Sequence, residues 1–293
     1  MLIKKIYKPL LLLSLVFQGC NDFEDLNTNP NEPTAVSSGV LFSSAIRNSA
    51  QTQSNESFLL GNNIAQLSAK TIRAEVDFYG WNAFPTVWEG FYESLTDVQQ
   101  VIDISVETGD TATQAAAVIY KSWIYSVLTN AYGDIPYSEA MKGLEANFTP
   151  AYDSQEAIYA DLLNSLQQAV GMLSNGGNVQ GDLLFEGDTQ KWVQFANSLQ
   201  LRLLMYQSNK QDVSAAFASI VNSGNIINSN ENQAAVTFLS SFPNQFPTIP
   251  LKQGDFDAVA ISKAAVTVLE GLKDPRISRY ARPDNQDFNA PVF

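Results

Sequence analysis

The chain has 293 residues, 45% apolar and 16% charged, enough for a sizeable core and unlike a disordered segment. Three of its 17 basic residues (Lys4, Lys5, Lys8) precede Cys20 and no acidic one does, so the remainder carries 14 basic against 30 acidic, net −16. That surface disfavours nucleic acid and anionic headgroups, and the lack of histidine removes Ser-His-Asp triads, Cys-His pairs and histidine metal sites. With Cys20 the single cysteine, no intramolecular disulfide or thiolate cluster can form; carboxylate chemistry, a hard-cation site such as calcium, or no chemistry remains.

The chain opens with MLIKKIYKPLLLLSLVFQG. A positive start is followed by an apolar run from Leu10 to Phe17, far short of the ~20 residues a spanning helix needs. Residues 1–19 are therefore expected to be a signal peptide. Cys20 directly follows the small Gly19 at the usual place for cleavage. The pattern resembles a bacterial lipoprotein signal, in which the cysteine is diacylated on its thiol and becomes the mature N-terminus. Phe17 and Gln18 stand where such signals usually carry Leu and a small residue. Residues 20–36 then read as the lipidated cysteine and a flexible tether, rich in Asn, Asp, Pro and Thr. The acids Asp22, Glu24 and Asp25 resemble the export signal of surface-exposed lipoproteins of the Bacteroidetes, and equally suit a solvated linker.

From residue 37 onward the pattern is helical. Ser38 to about Ala74 is expected to form two helices, one holding Leu41, Ala45 and Ile46, the next Phe58, Leu59, Ile64, Leu67 and Ile72, with Ser54 and Asn55 capping between them. Residues 75–85, EVDFYGWNAFP, break the pattern and crowd aromatics into a loop. A clear helix spans 86–107, with Trp88, Phe91, Leu95, Val98 and Ile102 on its stripe.

The next helix carries Tyr120, Trp123, Val127 and Ala131 as its expected core stripe, widened by Ile119, Ile124 and Leu128. Gly133 and Pro136 stop it in the turn YGDIPY. Asp153-Ser-Gln-Glu156 has the form of a capping box opening a helix over Ala157–Leu173. Asp188 caps a further helix holding Trp192, Phe195, Leu199, Leu203 and Tyr206. A short helix is expected from Gln211 to Asn222, an irregular Asn-, Ser- and Pro-rich segment over 225–256, and a last helix from Ala258 to Lys273. No alternating strand pattern stands out. Helices marked by Trp88, Trp123, Ile158 and Trp192 recur every 34–35 residues, which suggests stacked helical hairpins; a regular tetratricopeptide repeat would hold two helices per ~34 residues.

Four stretches in this order resemble the SusD/RagB family of nutrient-binding outer-membrane lipoproteins. They are DLNTNPNEPT (Asp25–Thr34), the Tyr120–Ala140 helix ending in AYGDIPYSEA, PAYDSQEAIY (Pro150–Tyr159) and FEGDTQKWVQFANSLQLR (Phe185–Arg202). The resemblance implies an all-α, mostly helical protein whose tetratricopeptide-like hairpins carry long irregular ligand-facing segments. It implies a lipid-anchored protein on the outer face of the outer membrane. Such a protein delivers an oligosaccharide, or sometimes a peptide, to a SusC-type TonB-dependent transporter, without catalysis, metal or cofactor. Family members are usually longer, so the helical domain over 37–293 is expected to be C-terminally incomplete. Trp123, Tyr132, Gly133, Pro136, Trp192, Asn197 and Arg202 read as packing, turn and cap residues of that scaffold.

Ligand residues do not transfer from relatives, so the candidates come from chemistry. Sugar rings stack apolar C–H faces on flat aromatic side chains, and Asn, Asp and Gln satisfy the hydroxyls. Tyr79, Trp81 and Asn82 offer that combination, as do Phe242, Asn244 and Gln245. Two other classes compete. A secreted glycoside hydrolase would draw a carboxylate pair from Asp77, Asp134, Asp182, Glu186 and Asp188, but these stand beside turns and helix starts, where capping explains them. A helical adaptor of an outer-membrane complex would need no ligand at all.

Overall fold

A computed structural model describes residues 36–71, 76, 78, 80, 85–242, 244–247 and 259–281. The first helix, α1, spans Ser38–Glu56 and buries Phe42, Ala45, Ile46 and Ser49, an i, i+3, i+4, i+7 stripe. It runs through the expected break at Ser54 and Asn55. The Ser54 hydroxyl donates back to the Ala50 carbonyl four residues earlier (2.7 Å), so it is satisfied inside the helix and caps nothing. A π-helical turn (Ser57–Gly61) and one α-turn (Asn62–Ile64) follow. The chain then turns at Gln66, φ 55°, into a short strand β1, Ser68–Lys70, in place of the second helix.

Helices α2 (Pro85–Thr108) and α3 (Thr111–Tyr132) form a hairpin across Gly109 and Asp110. Asp110 caps α3 by accepting from the Thr113 backbone N–H at 3.0 Å. Helix α4 spans Gln155–Met172, α5 Thr189–Gln207 and α6 Ser214–Asn222. Consecutive helices from α1 to α5 pack on one another, while α3 also touches α1 and α5. The helices therefore alternate between two layers, α1, α3 and α5 in one and α2 and α4 in the other. This is the stacked-hairpin architecture the 34–35-residue spacing suggested.

The core stripe of α3 is corrected in part, at Trp123, Val127 and Ala131. Because α3 is central, it buries residues all round its axis, including Ala115, Ala116, Ile119, Tyr120, Ile124, Tyr125 and Leu128. Trp123 and Val127 are only half-buried and Ala131 is exposed. Of the expected stripe, Tyr120 and the flanking Ile119, Ile124 and Leu128 are buried in the core, while Trp123 and Val127 pack against that core with part of their surface uncovered.

The turn after α3 behaves as a welded corner. Gly133, φ 77°, ends the helix with its N–H on the Thr129 carbonyl (2.8 Å). Strand β2 (Ile135–Pro136) pairs antiparallel with β3 (Tyr152–Asp153). Asp134 accepts from the Gln155 N–H at 2.9 Å, and the Gln155 amide donates to the Thr129 carbonyl at 2.6 Å. The expected capping box shifts by one residue, since Ser154 is the cap of α4. Asp153 instead accepts from the Ser138 N–H (2.7 Å), the Ser138 hydroxyl (2.9 Å) and the Tyr137 N–H (3.2 Å). Led by the Ser138 N–H, these donors hold its carboxyl below the usual carboxylate range.

A loop of tight backbone joins α4 to α5. Asp182 is its hub, accepting from the N–H groups of Leu184 (2.8 Å), Phe185 (3.1 Å) and Gly187 (3.0 Å) and from the indole of Trp192 (2.8 Å). Gly181, φ 67°, crosses Gly39 so closely that a Cβ on it would lie 1.8 Å from the Gly39 carbonyl oxygen. The Ser43 hydroxyl donates to the Gly181 carbonyl at 2.8 Å and clamps the crossing. Gly181→Ala is expected to lower the unfolding midpoint in a thermal melt, with a cost of about 2 kcal/mol or more from strain and clash. An unchanged midpoint would show that the crossing relaxes freely.

The last described elements are a second strand pairing and two short helices. Strand β4 (Val259–Ile261) pairs antiparallel with β1, Ser68 opposite Ile261. The final long helix is therefore shorter than expected: α7 covers Lys263–Gly271, capped by Ser262, which accepts from Ala265 N–H at 3.0 Å, and a single turn α8 covers Ile277–Tyr280. Strands of two or three residues carry too little alternation to show in a sequence. No described helix is long and apolar enough to cross a membrane.

Candidate functional site

The half-buried side of α3 faces a cavity of about 810 Å³. Its walls follow from helical geometry. Helix α1 contributes Ala50, Gln53 and Ser54; α3 contributes Tyr120 and Trp123; α5 contributes Phe195, Ser198, Leu199 and Arg202, one face at i, i+3, i+4 and i+7. The irregular segment after α6 closes the far side with Ile227, Val236, Phe238 and Phe246. That segment is tied to α5 by the Asn197 amide on the Asn225 carbonyl (2.8 Å) and by the Ile227 N–H on the Ser198 hydroxyl (2.9 Å).

The aromatic walls are held in place from behind. Tyr120 shares a hydrogen bond with the Ser49 hydroxyl (2.6 Å) and reaches the Ile46 carbonyl (3.3 Å). Burial pushes its phenol far above the ordinary range, so it stays protonated and offers the cavity only its ring. Trp123 lies 5.2 Å from that ring, tilted by 38°, and meets Phe91 edge-on at 6.0 Å. Phe195 rests against Trp192 (5.9 Å) and Phe185 (6.2 Å). Phe238 and Phe246 pack edge to face at 5.3 Å. Among the described residues, the Trp123 indole N–H, the Arg202 guanidinium and the Gln233 side-chain amide make no hydrogen bond, while the Gln233 backbone N–H donates to the Asn230 carbonyl (3.4 Å). The cavity therefore combines flat apolar faces with polar tips that the protein leaves unused, and its size is that of a small-molecule site.

The residues singled out from sequence fall unevenly around this cavity. Cys20, Tyr79, Trp81 and Asn82, like Asp77, lie outside the described residues. Phe242 is 83% exposed and does not line the cavity. Asn244 accepts from Arg47 at 3.2 Å, and its carbonyl receives the Leu239 N–H at 2.7 Å. Gln245 forms a bridge to Leu239. The turn holding Phe242, Asn244 and Gln245 thus sets Phe238 and Phe246, on either side of it, against the cavity. Trp123 and Phe195 were missed because a half-buried helical aromatic has the same spacing as a core one, and Arg202 because its position in FANSLQLR reads as scaffold.

A second aromatic surface lies where α2 begins. Trp88 stacks near Tyr152 (6.3 Å, 23°) and meets Tyr132 edge-on at 5.2 Å, with Tyr152 65% exposed. Three of the carboxylates offered for a hydrolase have other duties. Asp134 accepts from the first backbone N–H of α4, that of Gln155, Asp188 caps α5 by accepting from Gln190 (2.9 Å) and Lys191 (3.3 Å), and Asp182 holds the loop described above. Among the described residues no group of three or more carboxylates and thiols is placed to hold a metal.

The sequence pattern of the SusD-like family described as starch-binding and associating with the outer membrane matches residues 30–291. No curated protein matches the chain. Several solved structures do. A SusD homologue of Bacteroides fragilis superposes with a TM-score of 0.70 at 22% identity, covering 83% of this chain and 52% of its own. A SusD/RagB family protein of Bacteroides thetaiotaomicron gives 0.67 at 23% identity, with 83% and 53% covered. A chitin-binding protein gives 0.65 at 26% identity, with 82% and 53% covered. The chain thus spans about half the length of the solved proteins it matches.

Proposed function

Because the chain belongs to the SusD-like family of starch-binding proteins that associate with the outer membrane, we propose that it is a nutrient-binding lipoprotein of the cell surface. It captures an oligosaccharide in the cavity between α1, α3 and α5 and delivers it to a SusC-type TonB-dependent transporter. The observation that carries this reading is the cavity wall itself. Trp123, Phe195 and the Phe238–Phe246 pair give flat faces for sugar rings, while the Trp123 N–H, Arg202 and Gln233 are free to meet hydroxyls. The fold resemblance to a chitin-binding protein is in keeping with a saccharide ligand.

A binder without catalysis also suits the carboxylates. Asp134, Asp182 and Asp188 are each occupied by backbone N–H groups. Native gel electrophoresis through starch, chitin-derived or plant polysaccharides tests the function directly. Retardation in at least one matrix with no released sugar is expected. Release of reducing ends would replace the binder with a hydrolase, and co-purification with a barrel but no retardation would favour an adaptor.

Anchoring follows from the leader. Diacylation of Cys20 gives two acyl chains, enough for stable membrane attachment. Cys20→Ala is expected to move the protein from the membrane pellet to the soluble fraction after lysis and ultracentrifugation. Continued pelleting of the variant with membranes would disprove the lipid anchor.

A further inference from the structure

The charge inside the cavity runs against the charge of the chain. The sequence carries a net −13, yet among the described residues no carboxylate lines the cavity and one cation, Arg202, does. Arg202 makes no ion pair or hydrogen bond among the described residues. Its neighbours on the cavity face of α5 are Phe195, Ser198 and Leu199, so no acid lies one turn away on that face to neutralise it. A guanidinium left unpaired beside aromatic walls is the side chain best shaped to take a planar oxyanion through two parallel hydrogen bonds. The acidic surface elsewhere repels anions at long range, but at 0.15 M salt that field decays within about 8 Å, and the exposed Arg202 guanidinium at the cavity wall is open to a ligand that meets it at contact distance.

The geometry points to an acidic oligosaccharide as the ligand class of this cavity, with Arg202 gripping a uronate carboxylate or a sugar sulfate. This rests on the reading of the cavity as the saccharide site. Phe195 and Arg202 are seven residues apart on one helix face, about 10 Å along the axis. A sugar stacked on Phe195 would therefore place a neighbouring unit's acidic group at the guanidinium. Gln233, free on the same cavity, would take a ring hydroxyl beside it. A neutral glucan would use the aromatic walls but leave Arg202 unmatched.

The test uses the full chain and its Arg202→Gln and Arg202→Lys variants, with folding checked by circular dichroism. Binding is read by calorimetry against tri-galacturonate, its neutral methyl ester, a sulfated disaccharide and maltotriose. The acidic trisaccharide is expected to bind at least tenfold more tightly than its methyl ester. Arg202→Gln should abolish that difference, and Arg202→Lys should keep part of it. Preference for the sulfated sugar over the uronate, lost in Arg202→Gln, would equally support the site and assign the anion as sulfate. Equal binding of charged and neutral sugars, unchanged in Arg202→Gln, overturns the acidic specificity and leaves the saccharide site standing. No binding of any saccharide overturns both. An acidic hexapeptide that outbinds every sugar overturns the saccharide class.

Discussion

Trp192→Ala is expected to unfold the protein about 10 °C below the parent chain. Trp192 is fully buried and packs against four aromatic rings: Phe185 at 5.3 Å, Phe42 at 5.8 Å, Phe195 at 5.9 Å and Tyr120 at 6.5 Å. Truncating a buried tryptophan costs about 3–5 kcal/mol, from lost transfer energy and from the cavity left behind. For a chain of this size each kcal/mol moves the midpoint by about 2–4 °C.

The same substitution removes the indole N–H from Asp182, whose carboxylate also holds the loop before α5. Trp192→Phe separates the two effects. It keeps most of the apolar volume and loses the hydrogen bond, so it should cost about 1–3 kcal/mol. Differential scanning calorimetry of both variants provides the measurement. A shift of only a degree or two for Trp192→Ala would mean that the packing of α1, α3 and α5 around this ring contributes little.

How far the sequence foretold this structure depends on the length of each signal. Helices α2 to α5 are long, and their apolar periods and the Asp188 cap placed them within a few residues. The corner at Gly133 and Pro136 was equally legible, because glycine and proline restrict the backbone locally. The β1–β4 and β2–β3 pairings were invisible. Each strand has two or three residues, and the β1–β4 partners lie almost 200 positions apart. The break expected after α1 failed for a different reason. Ser54 has the composition of a cap, and only the fold shows its hydroxyl satisfied within the helix.

The site was harder to read than the scaffold because it is made from the scaffold. Tyr120, Trp123 and Phe195 lie on helices at spacings that also describe a core, and no sequence period distinguishes a side covered by a neighbour from one facing a void. Loop aromatics were favoured for the sound reason that loops often carry function. Of that set, Phe242 projects outward, while its neighbours Phe238 and Phe246 turn inward.

The helical origin of the wall makes Trp123 the sharpest test of the site. It is half-buried, with its ring braced by Tyr120 and Phe91 and its indole N–H unused. A ring already fixed by its neighbours loses little freedom when a sugar stacks on it, so its contact energy is not spent on ordering. Removing such an anchor typically costs about 2 kcal/mol of binding, roughly a 30-fold weaker affinity. Trp123→Ala should show that loss in calorimetric titration with whichever oligosaccharide retards the parent protein. Its stability should fall less than that of Trp192→Ala, since less of the ring is buried. A variant that binds as tightly as the parent would move the saccharide site away from this cavity. The Trp88, Tyr132 and Tyr152 surface at the start of α2 would then be the next place to substitute.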